Sequence, residues 1–256
     1  MIRLKSEEEI DLLRENALMV SKTLAEVGRH IEPGITTKEL DGIAEKYIRS
    51  LGAVPGFLGY DGFPATLCLS VNDVVVHGFP SAYKLQEGDI VSVDCGTVYR
   101  GFYGDSAYTF PVGMVDERTQ QLLDATRQSL EKGIEQAVAG ARTGDIGEAV
   151  QSYCENLGFS VVREMVGHGI GRDMHESPEV PNYGRRGHGV KLHEGMVICI
   201  EPMINAGRKE VYLDENGWAV HTADGAKSAH FEKTVVVRRG KAEVLTTFEF
   251  IEKDQR

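Results

Sequence analysis

The stretch Lys84–Phe110, KLQEGDIVSVDCGTVYRGFYGDSAYTF, decides how the rest of the chain folds. Ile90, Val91 and Val93 form a β-branched run of the kind buried strands carry, and Asp94 closes it. Turn signals gather at Tyr99-Arg100-Gly101, and Phe102 and Tyr103 then lead back to Asp105. A turn centred there predicts Asp94 and Asp105 nearly opposite each other on one face, about 4.5–5.5 Å apart at Cβ. Two carboxylates that close repel unless one is protonated or a cation lies between them. The hairpin therefore predicts a metal site or an acid dyad.

The second half of the chain bears on that choice. Lys191–Glu201, KLHEGMVICIE, repeats Lys-Leu-x-Glu-Gly, a mostly apolar run and a carboxylate, so Glu201 corresponds to Asp94. Phe231-Glu232-Lys233-Thr234 precedes Val235-Val236-Val237 much as Gly104-Asp105-Ser106-Ala107 precedes Tyr108-Thr109-Phe110. Four carboxylates at related strand ends are too much negative charge for a dry cleft without metal. The pattern favours two divalent ions over a proton-sharing dyad.

Helices frame both hairpins. Ser6 with Glu9 and Thr36 with Glu39 are capping-box patterns, and apolar residues at helical spacing follow each. They predict helices over about Glu7–His30 and from Thr36 to Leu51. In the second half, helices are predicted over about Asp116–Ala139 and Asp145–Leu157. Gly34, Thr37, Tyr47, Leu51 and Gly52 match Gly140, Thr143, Tyr153, Leu157 and Gly158 at a constant offset. An internal duplication follows, with halves of about 1–112 and 113–250 in a single domain, 1–256. The elements do not alternate as βαβ units, so the expected class is α+β, with an antiparallel sheet and two pseudo-symmetric helix pairs.

Composition narrows the function classes. A chain of 256 residues with a net charge of −11 is unsuited to broad electrostatic binding of nucleic acid or anionic membrane. Cys68, Cys95, Cys154 and Cys199 are widely spaced, which excludes zinc-finger and thioredoxin-type patterns and suits free thiols in the cytoplasm. No apolar run is long enough to span a membrane, and the N-terminus has no signal-peptide pattern. The segment Pro178–Val190 shows no periodicity and reads as an exposed loop. Asn216-Gly217 signals a tight hairpin, and the tail Glu252–Arg256 is expected to fray.

Histidines and aromatics supply the remaining candidates. His168 lies between glycines in Val166-Gly167-His168-Gly169-Ile170-Gly171, whose spacing is wrong for a nucleotide loop. His175 follows Met174, and His77 precedes Gly78. Beside organised carboxylates these three read as functional; His30, His188, His193, His221 and His230 read as ordinary surface or core residues. Phe57, Tyr60 and Phe63 fit a pocket wall, although composition alone favours a core role.

The five carboxylate and imidazole contexts VDCG, GDSA, GHGIG, IEPM and FEKT are specific as a set. With them the chain resembles the type I methionine aminopeptidases of the short bacterial kind, over about Ile2–Phe250. The resemblance implies the duplicated pita-bread fold. It also implies two divalent ions (Mn, Fe, Co or Zn), one held by His168, Glu201, Asp105 and Glu232 and the other by Asp94, Asp105 and Glu232. Catalytic roles fall to Glu201 as proton acceptor, His175 at the oxyanion and His77 at the scissile amide or leaving group. Substrate-binding positions are Phe57, Tyr60, Phe63, Cys68, His77, Met174, His175 and Trp218. Many bacterial relatives carry cysteine, tyrosine and phenylalanine at the places of Phe57, Phe63 and Met174. Asn72, Val74 and Ser228 match a monovalent-cation loop of relatives. The implied substrates are the N-terminal methionines of nascent chains and peptides, with ribosome association, for a protein expected to be monomeric. Proline-directed peptidases share the ligands but add an N-terminal domain, for which a first helix near Glu7 leaves no room.

Overall fold

The computed structural model of the protein describes residues 2–254. The first helix, Glu7–Gly28, has both capping-box bonds: Glu9 N–H donates to Ser6 Oγ, and Ser6 N–H donates to the Glu9 carboxylate. Glu7, Glu8 and Glu9 in its first turn complement the helix dipole. Ile10, Leu13, Ala17, Val20, Leu24 and Val27 form its buried face. It stops two residues short of His30. A Cβ on Gly28 would lie 2.6 Å from Phe110 Cε1, so the helix end is seated directly on the first hairpin. The other long helices are Thr37–Ser50, Glu117–Gln136 and Thr143–Asn156.

The duplicated, largely antiparallel pita-bread architecture is visible in single hydrogen bonds. Gly34 N–H donates to the Leu85 carbonyl at 2.7 Å, and Leu85 N–H donates to the Ile35 carbonyl at 2.9 Å. In the second half Gly140 N–H donates to Leu192 O at 2.9 Å, and Leu192 N–H donates to Ala141 O at 2.8 Å. Each Lys-Leu-x-Glu-Gly turn is thus pinned to the linker between its two helices. Gly88 and Gly195, which close those turns, have φ of +88° and +86°, a conformation that favours glycine.

The first hairpin pairs Ile90–Tyr99 with Phe102–Pro111 through a two-residue turn, Arg100-Gly101, with positive φ at both residues. This is the primed turn that matches strand twist. It shifts the expected register: Asp94 pairs with Ala107, and Asp105 pairs with Gly96. The two aspartates are therefore diagonal neighbours on one face rather than opposite residues. In the second half Val197–Ile200 pairs with Lys233–Val236, and Glu201 and Glu232 stand where that ladder ends.

Hydroxyl groups stitch the halves together. Ser106 Oγ donates to Glu232 O at 2.6 Å, and Thr234 Oγ1 donates to Asp105 O at 2.8 Å. Thr109 Oγ1 donates to His230 O and accepts from His230 N–H. These bonds bring Asp105 and Glu232 side by side. One apolar core runs across the seam, from Val20, Leu24 and Val91 to Leu122, Ile198 and Val235.

Three local expectations are corrected. Glu176–Val180 is a strand paired with Gly167–Gly169, and Asn182 is fully buried, so 178–190 is not wholly an exposed loop. The Asn216-Gly217 hairpin forms, Val211–Leu213 pairing with Val220–Thr222, but its second strand begins at Val220 rather than at Trp218. A helix, Glu249–Asp254, occupies the start of the tail; Gln255 and Arg256 lie outside the described residues. Among the described residues no helix is long and apolar enough to cross a membrane.

Candidate metal centre

Both halves deliver five side chains to one cavity of about 210 Å³, Asp94 and Asp105 from mid-strand positions, because the first strand runs past Asp94 to Tyr99. Asp94 and Asp105 come from the first hairpin, His168 from Gly167–Gly169, and Glu201 and Glu232 from the second ladder. His168 Nε2 lies 3.7 Å from Asp105 Oδ2 and 3.6 Å from Glu201 Oε1. Asn182 Nδ2 donates to the Glu201 carbonyl at 2.9 Å and fixes the backbone there.

The glycines beside His168 have a steric reason. A Cβ on Gly167 would lie 2.3 Å from Cys199 O, and one on Gly169 would lie 2.6 Å from Ser177 O. Neighbouring backbone on both sides presses against this strand and aims the imidazole into the cavity. Gly167→Ala is expected to cost about 1–3 kcal/mol of stability. It should also weaken Mn(II) binding, because the His168 strand must move off Cys199; urea unfolding and calorimetric titration check the two effects.

The electrostatics call for cations. Asp94 Oδ1, Asp105 Oδ1 and Glu232 Oε1 are buried and have no hydrogen-bond partner among the described residues. Burial pushes the Asp94 carboxyl up to about 6. Burial, reinforced by neighbouring carboxylates, holds Asp105, Glu201 and Glu232 well above the usual range. Burial lowers His168 to about 4, with the nearby His175 adding to the effect. A neutral imidazole keeps a lone pair for a metal. Orphaned carboxylate oxygens beside such an imidazole fit divalent ions of the Mn, Fe, Co and Zn group.

Phe57, Tyr60, Phe63, Cys68, His77, His175 and Trp218 line the same cavity around these donors. Tyr60 Oη is 2.9 Å from His175 Nδ1, and the His175 ring is 4.5 Å from that of His168. His77 has φ of +60° and is lowered to about 4 by burial, then by His230 and His175. Phe63 meets Trp218 edge-on at 5.2 Å. Cys68 pairs with Asp94 across the sheet.

Met174 is the exception. It is buried and does not line the cavity; its Cε would be 2.9 Å from a Cβ on Gly96, so it packs beneath Phe57. Asn72 and Ser228 adjoin, since Ser228 N–H donates to Asn72 O at 2.8 Å, and Val74 lies on the neighbouring strand. None of these three lines the metal cavity.

The structure adds two residues that sequence reasoning left out. His230 is 2% exposed, lines the cavity and holds Nε2 3.6 Å from Glu201 Oε2. Cys199 is fully buried, and its sulfur lies within 4.8 Å of donor atoms of Asp105, His168 and Glu232. A signal for both existed. Each stands two residues before a metal-site glutamate, a spacing that shares a face in extended chain.

Residues 11–239 match metallopeptidase family M24. The chain is 52% identical to a methionine aminopeptidase of Clostridium perfringens, over 96% of this chain and 99% of that protein. It is 47% identical to methionine aminopeptidase 1 of Bacillus subtilis, over 96% and 99%. The crystal structure of methionine aminopeptidase from Rickettsia prowazekii superposes with a TM-score of 0.95 at 41% identity, covering 96% of this chain and 100% of that one. A prolidase from Pyrococcus furiosus shares the fold, with a TM-score of 0.76 at 21% identity, over 96% of this chain and 66% of that one.

Proposed function

The chain belongs to metallopeptidase family M24, in its methionine aminopeptidase branch, and we propose that it removes the N-terminal methionine from nascent proteins and peptides. Small second residues are preferred. The observation that carries this reading is the convergence of five metal-type donors, three of them with orphaned buried oxygens, beside an aromatic wall. The protein acts in the cytoplasm as a monomer, one catalytic domain of two halves near 1–112 and 113–250.

Asp94, Asp105, His168, Glu201 and Glu232 would hold two divalent ions. When bound, such ions acidify a water and polarise the scissile carbonyl. Glu201 accepts the proton of the attacking water and passes it to the leaving amine. Tyr60 Oη lies 2.9 Å from His175 Nδ1; in the tautomer that accepts from Tyr60 there, His175 keeps Nε2–H to stabilise the developing oxyanion. His77 contacts the scissile amide. Phe57, Tyr60, Phe63, Cys68 and Trp218 enclose the methionine thioether, which is suited to aromatic edges. Met165 and Met203 also line the cavity, and their bulk leaves space for a small second side chain. Asn72, Val74 and Ser228 are assigned to a monovalent cation.

His175→Ala is expected to lower kcat by about 10²–10³-fold with metal content intact. Metal loss in that variant, read by elemental analysis, would contradict the role. The activity test is cleavage by chelator-stripped protein with and without Mn, Fe, Co or Zn. Metal-restored release of methionine from Met-Ala-Ser, and not from Met-Leu-Ser or Leu-Ala-Ser, is the expected outcome. Preference for Ala-Pro-Ser would move the chain to the proline-directed branch, and binding without any cleavage would leave a peptide-binding module.

A further inference from the structure

The His168 end of the centre holds more donors than the carboxylate scheme uses. Atoms of Asp105, His168, Cys199 and Glu232 all lie within 4.8 Å of one another, and all four residues are buried. Donors about 2.0–2.3 Å from a tetrahedral ion stand roughly 3.3–3.8 Å apart, so small side-chain shifts close this group around one ion. Glu201 is 3.6 Å from His168 yet lies outside the foursome.

The Cys199 thiol already meets the Glu232 carboxylate, by a hydrogen bond, and Thr234. Its sulfur is 3.5 Å from Thr234 Oγ1, whose own hydrogen is committed to Asp105 O at 2.8 Å. The orphaned Asp105 Oδ1 and Glu232 Oε1 are an independent sign that this end awaits a ligand. Hard ions such as Mn(II) prefer oxygen, whereas softer ions prefer sulfur.

We propose that Cys199 gives this end a second donor set, Asp105–His168–Cys199–Glu232, which captures thiophilic divalent ions through sulfur while Mn(II) uses the oxygen-rich set with Glu201. As the sulfur–metal bond forms, the thiol proton leaves to solvent, so charge and atoms balance without a co-reactant. The identity of the ion then selects the donor set. A thiophilic ion held by sulfur is drawn away from Glu201, the proposed proton acceptor. The proposal rests on the metal-centre reading above but not on peptidase activity.

The test titrates chelator-stripped full-length protein with Cd(II) and Mn(II). Wild type should develop a thiolate-to-cadmium charge-transfer band at one equivalent, and Cys199→Ser should lack it. Cd(II) binding in that variant should weaken by about tenfold or more, with Mn(II) binding changed by about twofold or less. Cys68 also faces the cavity, so Cys68→Ser must retain the band. X-ray absorption at the cadmium edge of the wild type should count one sulfur ligand, which needs no variant to fold. A wild type with no sulfur ligand, or a band that vanishes with Cys68 and survives without Cys199, would overturn the proposal. Failure of peptide cleavage alone would undo the proposed function and leave these readings untouched.

Discussion

Glu201→Gln is expected to lower kcat on Met-Ala-Ser by about 10²–10⁴-fold. Mn(II) affinity should fall by about 10–100-fold at most. The amide keeps the size of the side chain and one oxygen for a metal, but cannot accept a proton. Glu201 is well placed for that exchange. It is buried, it ends a strand whose backbone is pinned by Asn182, and imidazoles stand 3.6 Å from each of its oxygens. KM should change little, because the proposed function assigns the methionine side chain to the aromatic wall of Phe57, Phe63 and Trp218 rather than to Glu201. Kinetics at saturating Mn(II), beside calorimetric titration of the same samples, separate the two roles. Unchanged kcat in metal-loaded Glu201→Gln would remove Glu201 from proton transfer and return that task to another group. His230, on the opposite oxygen, would be the next residue to vary.

Much of this site is legible in the chain because its logic is local. The repeat of Lys-Leu-x-Glu-Gly before Asp94 and Glu201 needs no structure to find, and the matching Gly34 and Gly140 linkers repeat with it. The close of each apolar run then points to Asp94 and Glu201, although the first strand continues past Asp94 to Tyr99. What the chain conceals is set by contacts distant in sequence. The register of the first hairpin turned on one residue of turn length, and Arg100-Gly101 proved to be the tighter choice. Met174 is adjacent to His175, yet a close approach to Gly96 takes it beneath the wall. The seam made by the hydroxyls of Ser106, Thr109 and Thr234 carries no periodic signature. His230 and Cys199 were readable through their spacing from Glu232 and Glu201, but an isolated histidine or cysteine is most often structural. Only the folded seam shows His230 lining the cavity and the Cys199 sulfur, at the edge of the core, within reach of Asp105, His168 and Glu232.

Stripping the ions should make stability fall as pH rises from about 6.5 to 8, the reverse of ordinary acid denaturation. Asp94 is raised to about 6 by burial, and burial with neighbouring carboxylates also holds Asp105, Glu201 and Glu232 well above the usual carboxylate range. For a carboxyl whose folded pKa exceeds its unfolded value, the folded state binds the extra proton. Its stability contribution is complete below the unfolded pKa of about 4 and is lost as pH rises through the folded pKa. His77 and His168, each lowered to about 4, have the opposite sign. Their contribution is present above about 6.5 and is lost as pH falls towards 4. The two sets oppose each other below pH 6.5. Above it the unfolded histidines lose their remaining protons within about one pH unit, a smaller effect than that of the raised carboxylates. Each group still protonated in the fold then loses about 1.4 kcal/mol per pH unit. Divalent ions replace those protons. At a free concentration of 100 times Kd, a bound ion adds about 2.7 kcal/mol, and the carboxylates remain ionised beside it. Calorimetric melting with chelator should therefore show Tm falling from pH 6.5 to 8, while Mn(II)-loaded protein shows a higher and flatter Tm. A flat Tm in chelator would mean that the buried carboxylates ionise together without a cation, and the electrostatic case for the metal centre would fail.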